Sequence, residues 1–130
     1  MKEPLNESGA VLSPCRSWRY ALWRIWDQQH CSSKVMFIGL NPSTADELRN
    51  DLTISKCIGF AKRWGFGGVV MLNLFSFRAT DPQIMINSAD PVGPENDKAF
   101  ATYNSHVDLV IAAWGLFIRD IGNNLAGMSV

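Results

Sequence analysis

Three nearly continuous apolar runs, Val35 to Leu40, Gly68 to Phe75 and Asp108 to Trp114, mark the chain as a set of buried strands. Runs of this kind, without polar alternation, suit strands covered on both faces, as in parallel sheets. Between the first two the period becomes helical. From Thr53, the residues Ile54, Cys57, Ile58, Ala61 and Trp64 recur at three- and four-residue steps, with Lys56, Lys62 and Arg63 on the other face. Asp51 or Thr53 suits the helix start, and Gly65 its end. Between the second and third runs, Pro94-Glu95-Asn96-Asp97 opens another helix with Pro at its first position, and Ala99, Phe100, Tyr103 and Val107 supply its buried stripe. The connection from Ser76 to Gly93 is rich in Asp, Pro, Asn and Ser and long enough to carry function.

The beginning of the chain is less regular. Met1 to Pro14 reads as a flexible lead, with folded structure starting near Arg16. Arg16 to Trp26 sets Trp18, Tyr20, Leu22 and Trp26 on one parity, which predicts a strand beside Val35 to Leu40; a helix over Trp18 to Trp26 fits the same residues. Two strand-helix-strand units in succession predict an α/β fold, doubly wound, with three α-β-α layers and a mainly parallel sheet. A length of 130 residues that are 47% hydrophobic fits one domain, taken as residues 15–130.

Charge and cysteine content narrow the function classes. Net charge is zero, so no global field draws the chain onto nucleic acid or anionic lipid. Its distribution is uneven: nine basic against four acidic residues lie between Arg16 and Arg78, and two against six from Asp81 onward, which predicts a basic face. Two ordinary solvated surfaces account for the split equally well. No apolar run approaches the ~20 residues of a bilayer span, and the amino terminus lacks a signal-like apolar core, so a cytoplasmic location is expected. Cys15, Cys31 and Cys57 show no Cys-x-x-Cys spacing, which predicts reduced thiols and no zinc site.

Candidate chemistry sits where parallel strands end. Those ends are Asn41-Pro42-Ser43-Thr44, Asn73-Leu74-Phe75 and Trp114-Gly115. No Gly-x-Gly-x-x-Gly or Lys-containing phosphate loop is present, so dinucleotide and nucleoside-triphosphate binding have no support.

The segments VMFIGLNPSTAD (Val35 to Asp46), CIGFAKRWGFGG, NLF, DPVGPEND and AAWG, in that order, are similar to a bacterial and phage domain family whose members lack an assigned function. More distantly, Gly39-Leu40-Asn41-Pro42, Leu72-Asn73 with Arg78-Ala79, and Trp114-Gly115 resemble the uracil-DNA glycosylase superfamily. That resemblance implies a metal-free, cofactor-free hydrolase of the N-glycosidic bond. Asn41 would position a water against the sugar of a flipped nucleotide, and Asn73 would read the base edge. Ser43 and Thr44 would hold a phosphate or a base carbonyl, and Gly39 would admit substrate close to the backbone. Leu40, Pro42, Phe75, Trp114 and Gly115 would complete the ligand pocket, and Lys62, Arg63 and Arg78, with Lys56, would contact DNA phosphates.

The chain departs from the glycosylase pattern at one place. Those enzymes carry a His-Pro loop after the strand that follows Trp-Gly; here only His30 and His106 occur, at neither position. The expected sheet therefore lacks its last strand and presents an open edge, which invites self-association or a protein partner. Each candidate also has a reading that needs no ligand. Asn41 caps its own turn, Asn73 is a satisfied core amide, Trp114 is core, and Arg16, Arg19 and Arg24 are a solvated strand face. The alternative function is a non-catalytic phage or prophage interaction protein that keeps the glycosylase-like shell and binds a protein partner through its open sheet edge.

Overall fold

The computed structural model describes residues 7–29 and 32–114. Its strands β1 (Ser8–Leu12), β2 (Arg19–Ile25), β3 (Lys34–Gly39), β4 (Gly68–Asn73) and β5 (Leu109–Ala112) form one sheet in the order β1-β2-β4-β3-β5. The helices are α1 (Leu52–Arg63), α2 (Pro82–Ile86) and α3 (Asn96–Tyr103), followed by a single 3-10 turn at Asn104–His106. The fold is α/β, as the apolar runs imply.

The β3-α1-β4 unit follows the sequence pattern closely. Asp51 caps α1 by accepting from the Ile54 N–H, and Gly65, at φ +85°, takes the left-handed conformation just past the helix end. Leu22, Val35, Phe37, Val69 and Met71 meet Ile54, Cys57, Phe60 and Ala61 of α1 in one hydrophobic cluster. A second cluster joins Tyr20, Ala21, Met36, Val70 and Leu72 to Ala99, with Phe100, Tyr103 and Val107 packed against it. Alternation along β3 and β4 separates the two, since successive strand residues point to opposite faces.

Five expectations are corrected. The sheet is mixed: β3 is parallel to β4 and β5, whereas β2 is antiparallel to both β1 and β4. The strand at Arg19–Ile25 therefore lies beside β4 and not beside β3. Folded structure is also present ahead of Arg16, at Ser8–Leu12, because β2 is almost wholly buried and both of its edges need hydrogen-bond partners. β4 supplies one partner, and β1, drawn from the presumed lead, supplies the other. At the opposite side of the sheet β5 is not buried. Leu109 and Val110 are 42% and 44% exposed, because β5 pairs with β3 alone among the described strands. Finally, Pro94 precedes α3 without entering it, and the proline-first pattern occurs instead at Pro82, where Asp81 caps α2 inside the long connection.

An irregularity in β2 has the largest consequence for the site. Val11 pairs with Ala21 and Leu12 with Arg19, so Tyr20 is an extra residue in β2, a bulge. The bulge resets the alternation. Tyr20 joins Ala21 in the α3-side cluster, and Arg19 turns to the face that carries Met71 and Asn73.

Candidate functional site

The main chains after β3 and β4 continue side by side past the end of the sheet. The Leu74 and Phe75 N–H groups donate to the Gly39 and Leu40 carbonyls, and the Ala79 N–H donates to the Pro42 carbonyl. Side chains tighten this seam. Asn41 Nδ2 donates to the carbonyls of Ala79 (2.8 Å) and Pro42 (3.1 Å), and the Ser43 and Thr80 hydroxyls lie 3.0 Å apart.

Three arginines hold the loop that follows. Arg19 donates to the Ala45 carbonyl, Arg24 to those of Asp46 and Arg49, and Arg78 to those of Ser43 and Thr44. Arg78 also donates to the Arg16 carbonyl. Arg19 and Arg24 are buried, so the solvated strand face expected for them is not formed. Arg16 does face solvent, where it pairs with Glu47 at 2.7 Å. Part of the expected basic face is thus turned inward as hydrogen-bond donors to loop carbonyls. Such carbonyls lie outside any ladder and need donors when water is excluded.

Under this loop, Arg19, Asn41, Pro42, Ser43, Asp51, Thr53, Ile54, Met71 and Asn73 line a cavity of about 30 Å³. Asn73 ends β4 and is 1% exposed, yet neither Nδ2 nor Oδ1 has a hydrogen-bond partner. Burial of an amide unpaired at both ends is costly and marks a site that expects another group. Its main chain is fixed from the other side, where the buried Asn96 Nδ2 donates to the carbonyls of Asn73 (3.0 Å) and Leu74 (3.1 Å). Asp51 is committed to the protein: its carboxylate accepts from the N–H groups of Ile54 and Ala45.

The structure therefore brings Asn41, Asn73, Pro42 and Ser43 together, as the strand-end reading expects, and leaves other candidates apart. Gly39, Leu40, Thr44 and Phe75 lie in the adjoining segments without lining the cavity. Trp114 is 40% exposed and does not line it, and Gly115 lies outside the described residues. Lys62 and Arg63 stand in the last turn of α1, at the end away from Asp51, with Lys62 over the Trp26 ring and Arg63 over Phe60. The hollow itself is far smaller than the ~300 Å³ of an ordinary small-molecule pocket; it has room for one or two waters.

Two residues escape the sequence reading. Arg19 is hidden by the bulge, which no periodicity in β2 announces, and Asn96 by its place in a helix start, where asparagine is ordinary. A larger concavity, about 580 Å³, opens between β1, β2 and α3 and is lined by Val11, Trp18, Tyr20 and Tyr103 among others, but Arg19, Asn41 and Asn73 are not among its lining residues. Its rim carries Cys15, whose thiol is lowered to about 7 by hydrogen bonds from Ser13 and Ser17. Among the described residues no cluster of His, Cys, Asp and Glu could hold a metal ion, and no helix is long and apolar enough to cross a membrane.

No curated protein and no solved structure matches the chain significantly. A family model matches residues 19–127, which takes in the strand-end motifs, the helix between them and the cavity they enclose. The chain belongs to the family described as protein of unknown function (DUF1643).

Proposed function

We propose that the chain is a nucleobase-binding domain of the uracil-DNA-glycosylase type, taking a nucleobase, nucleotide or DNA end at the Asn41–Asn73 cavity. The observation that carries this reading is Asn73: a side-chain amide, buried at a strand end, with donor and acceptor both unpaired beside Asn41. An amide in that state matches the adjacent N–H and C=O of a pyrimidine-like ring. Asn41 donates through Nδ2 to loop carbonyls, which leaves its Oδ1 to accept from a water. A ring enters when the 42–44 segment parts from 78–80, breaking the Ser43–Thr80 and Arg78 contacts that close the hollow. The glycosylase-like three-layer fold belongs to the same proposal, and so does excision of the base.

The test is release of free base from oligonucleotides containing uracil, modified cytosine or hypoxanthine, run beside equilibrium binding of the same oligonucleotides. The reading predicts saturable binding that Asn73→Ala abolishes and base release, where it occurs, that Asn41→Ala abolishes. Identical behaviour of the parent and both variants contradicts it. A second reading, an interaction protein that docks a partner on an open sheet edge, is favoured by the exposure of Leu109 and Val110 on β5. It predicts a stable oligomer or complex in sedimentation and indifference to nucleobases.

A further inference from the structure

The bulge that turns Arg19 inward delivers its neighbour to the other face of the sheet. Tyr20, 5% exposed, joins Ala21 on the α3 side, and Val11, paired directly with Ala21, shares that face. The helix α3 packs over β2 and β4, and beside it Val11 on β1 stays 38% exposed. Between helix and strand lies the concavity of about 580 Å³, inside the range of roughly 300–1,000 Å³ typical of small-molecule pockets.

Its walls are aromatic or apolar for the most part: Trp18 and Tyr20 at the sheet, Ala99 and Tyr103 on α3, Val11 and Leu12 on β1. They are held in place by the protein itself. The Ser13 N–H donates to the Trp18 carbonyl (2.9 Å) and the Trp18 N–H to Ser13 Oγ (3.1 Å), which closes the turn carrying Pro14 and Cys15. The Trp18 indole N–H donates to the Asp90 carbonyl at 2.8 Å, and the Tyr103 ring lies against Trp23 with centroids 5.6 Å apart. A preformed hollow spends little binding energy on ordering. Charge narrows the occupant further. Glu95 and Lys98, exposed on the rim, are opposite in sign and offset each other. Cys15, exposed at the mouth, has its thiol lowered to about 7 by hydrogen bonds from Ser13 and Ser17, so it is partly thiolate at neutral pH and disfavours an anion.

We propose that this concavity is a second ligand site, which takes an uncharged small molecule through a flat apolar ring seated among Trp18, Tyr20 and Tyr103, with the Cys15 thiol at its mouth. Such a ring supplies the apolar area and the offset or edge-to-face contacts that aromatic walls reward. The site is independent of the nucleobase reading, since Arg19, Asn41 and Asn73 line the strand-end cavity and none of them lines this one.

The Cys15 thiol makes occupancy measurable. The full chain is alkylated at neutral pH with N-phenylmaleimide, N-ethylmaleimide or iodoacetamide, and the rate at Cys15 is followed by peptide mass mapping beside that of N-acetylcysteine. With either maleimide a C–S bond forms at one alkene carbon and the other alkene carbon takes a proton from water. Seating of the phenyl ring should raise the ratio of N-phenylmaleimide to N-ethylmaleimide rates about tenfold above the free-thiol ratio, and the faster rate should saturate with reagent. N-phenylsuccinimide, the saturated analogue that cannot alkylate, should slow N-phenylmaleimide by competition. Thr102→Trp, at an exposed position of α3 that lines the hollow, should fill it and return the ratio to the free-thiol value while iodoacetamide still reacts. Where that variant fails to fold, the ratio and the competition in the unaltered chain decide the matter. A ratio equal to that of the free thiol overturns the proposal. So does a raised ratio that survives Thr102→Trp, which would seat the ring elsewhere, and so does concentration-dependent self-association that shields Cys15 from iodoacetamide, which would make a second copy of the chain the occupant.

Discussion

Replacing Asn73 by leucine separates a functional amide from a structural one. Asparagine and leucine have the same number of side-chain heavy atoms, and the adjoining 30 Å³ cavity accepts the extra bulk of the methyl groups. In the structure both polar atoms of Asn73 are buried and unpaired, so each carries a desolvation cost of about 1–3 kcal/mol that an apolar isostere removes. Against this stand some overpacking, about 1–3 kcal/mol where a core cannot relax, and any water that satisfies the amide. The net expectation is stabilisation of about 1–2 kcal/mol, a rise in Tm of roughly 3–8 °C for a domain of this size. Thermal unfolding followed by circular dichroism, with urea titration at fixed temperature, measures it. The same variant should lose ligand binding, the usual exchange when a strained binding group is removed. A loss of 1 kcal/mol or more on the same scale would refute the reasoning, since it would mean the amide is satisfied in the native protein and holds the fold.

Other predictions follow from individual contacts. Arg78→Ala removes donors to Ser43, Thr44 and Arg16 and should cost about 1–3 kcal/mol in urea unfolding. DNA binding by the chain should weaken steeply with salt, through Lys56, Lys62 and Arg63, and the slope of log K against log salt should survive Arg78→Ala, because that guanidinium is already engaged. Gly93→Ala should destabilise by about 2–4 kcal/mol in the same assay, since φ there is +87° and a Cβ would collide with Ser76 Oγ and Trp18. Iodoacetamide at neutral pH should alkylate Cys15, exposed and near its pKa of about 7, well before the buried Cys57, as peptide mass mapping would show. Hydrogen bonds from the Leu48 and Arg49 N–H groups, aided by Arg49 and Arg16, hold the Asp46 carboxyl below its ordinary value. Its contribution is therefore complete above the unfolded carboxylate pKa of about 4 and is lost as pH falls through the depressed folded value. Asp46→Asn should flatten the acid limb of a stability–pH curve.

The elements that the sequence discloses are those whose own pattern decides them. The runs at Val35 and Gly68 and the helical stripe from Ile54 to Trp64 bury one continuous surface, and the cap at Asp51 and the turn at Gly65 are local chemistry. What stays hidden depends on partners. Ser8–Leu12 is a strand because β2 needs an edge, β5 is exposed because among the described strands it pairs with β3 alone, and the antiparallel placement of β2 leaves no mark in its composition. The site divides the same way. Asn41 and Asn73 stand out as polar breaks at strand ends, and they do share a cavity. Arg19 looks like one more surface arginine, and only the register shift at Tyr20 sends it inside; the burial of Arg24 and the engagement of Arg78 with loop carbonyls likewise dissolve part of a basic face that charge counting alone predicts.

The Asn73 side-chain amide reports most directly on whether the hollow is a binding site. Its two N–H resonances, assigned by their absence in Asn73→Leu, are followed by nuclear magnetic resonance during titration of the unaltered chain with a uracil-containing oligonucleotide and with the free pyrimidines. Saturable shifts of that amide are the result predicted here. Resonances that stay fixed while the oligonucleotide binds elsewhere, or while nothing binds, would contradict the account and leave Asn73 as an amide buried for reasons of folding alone.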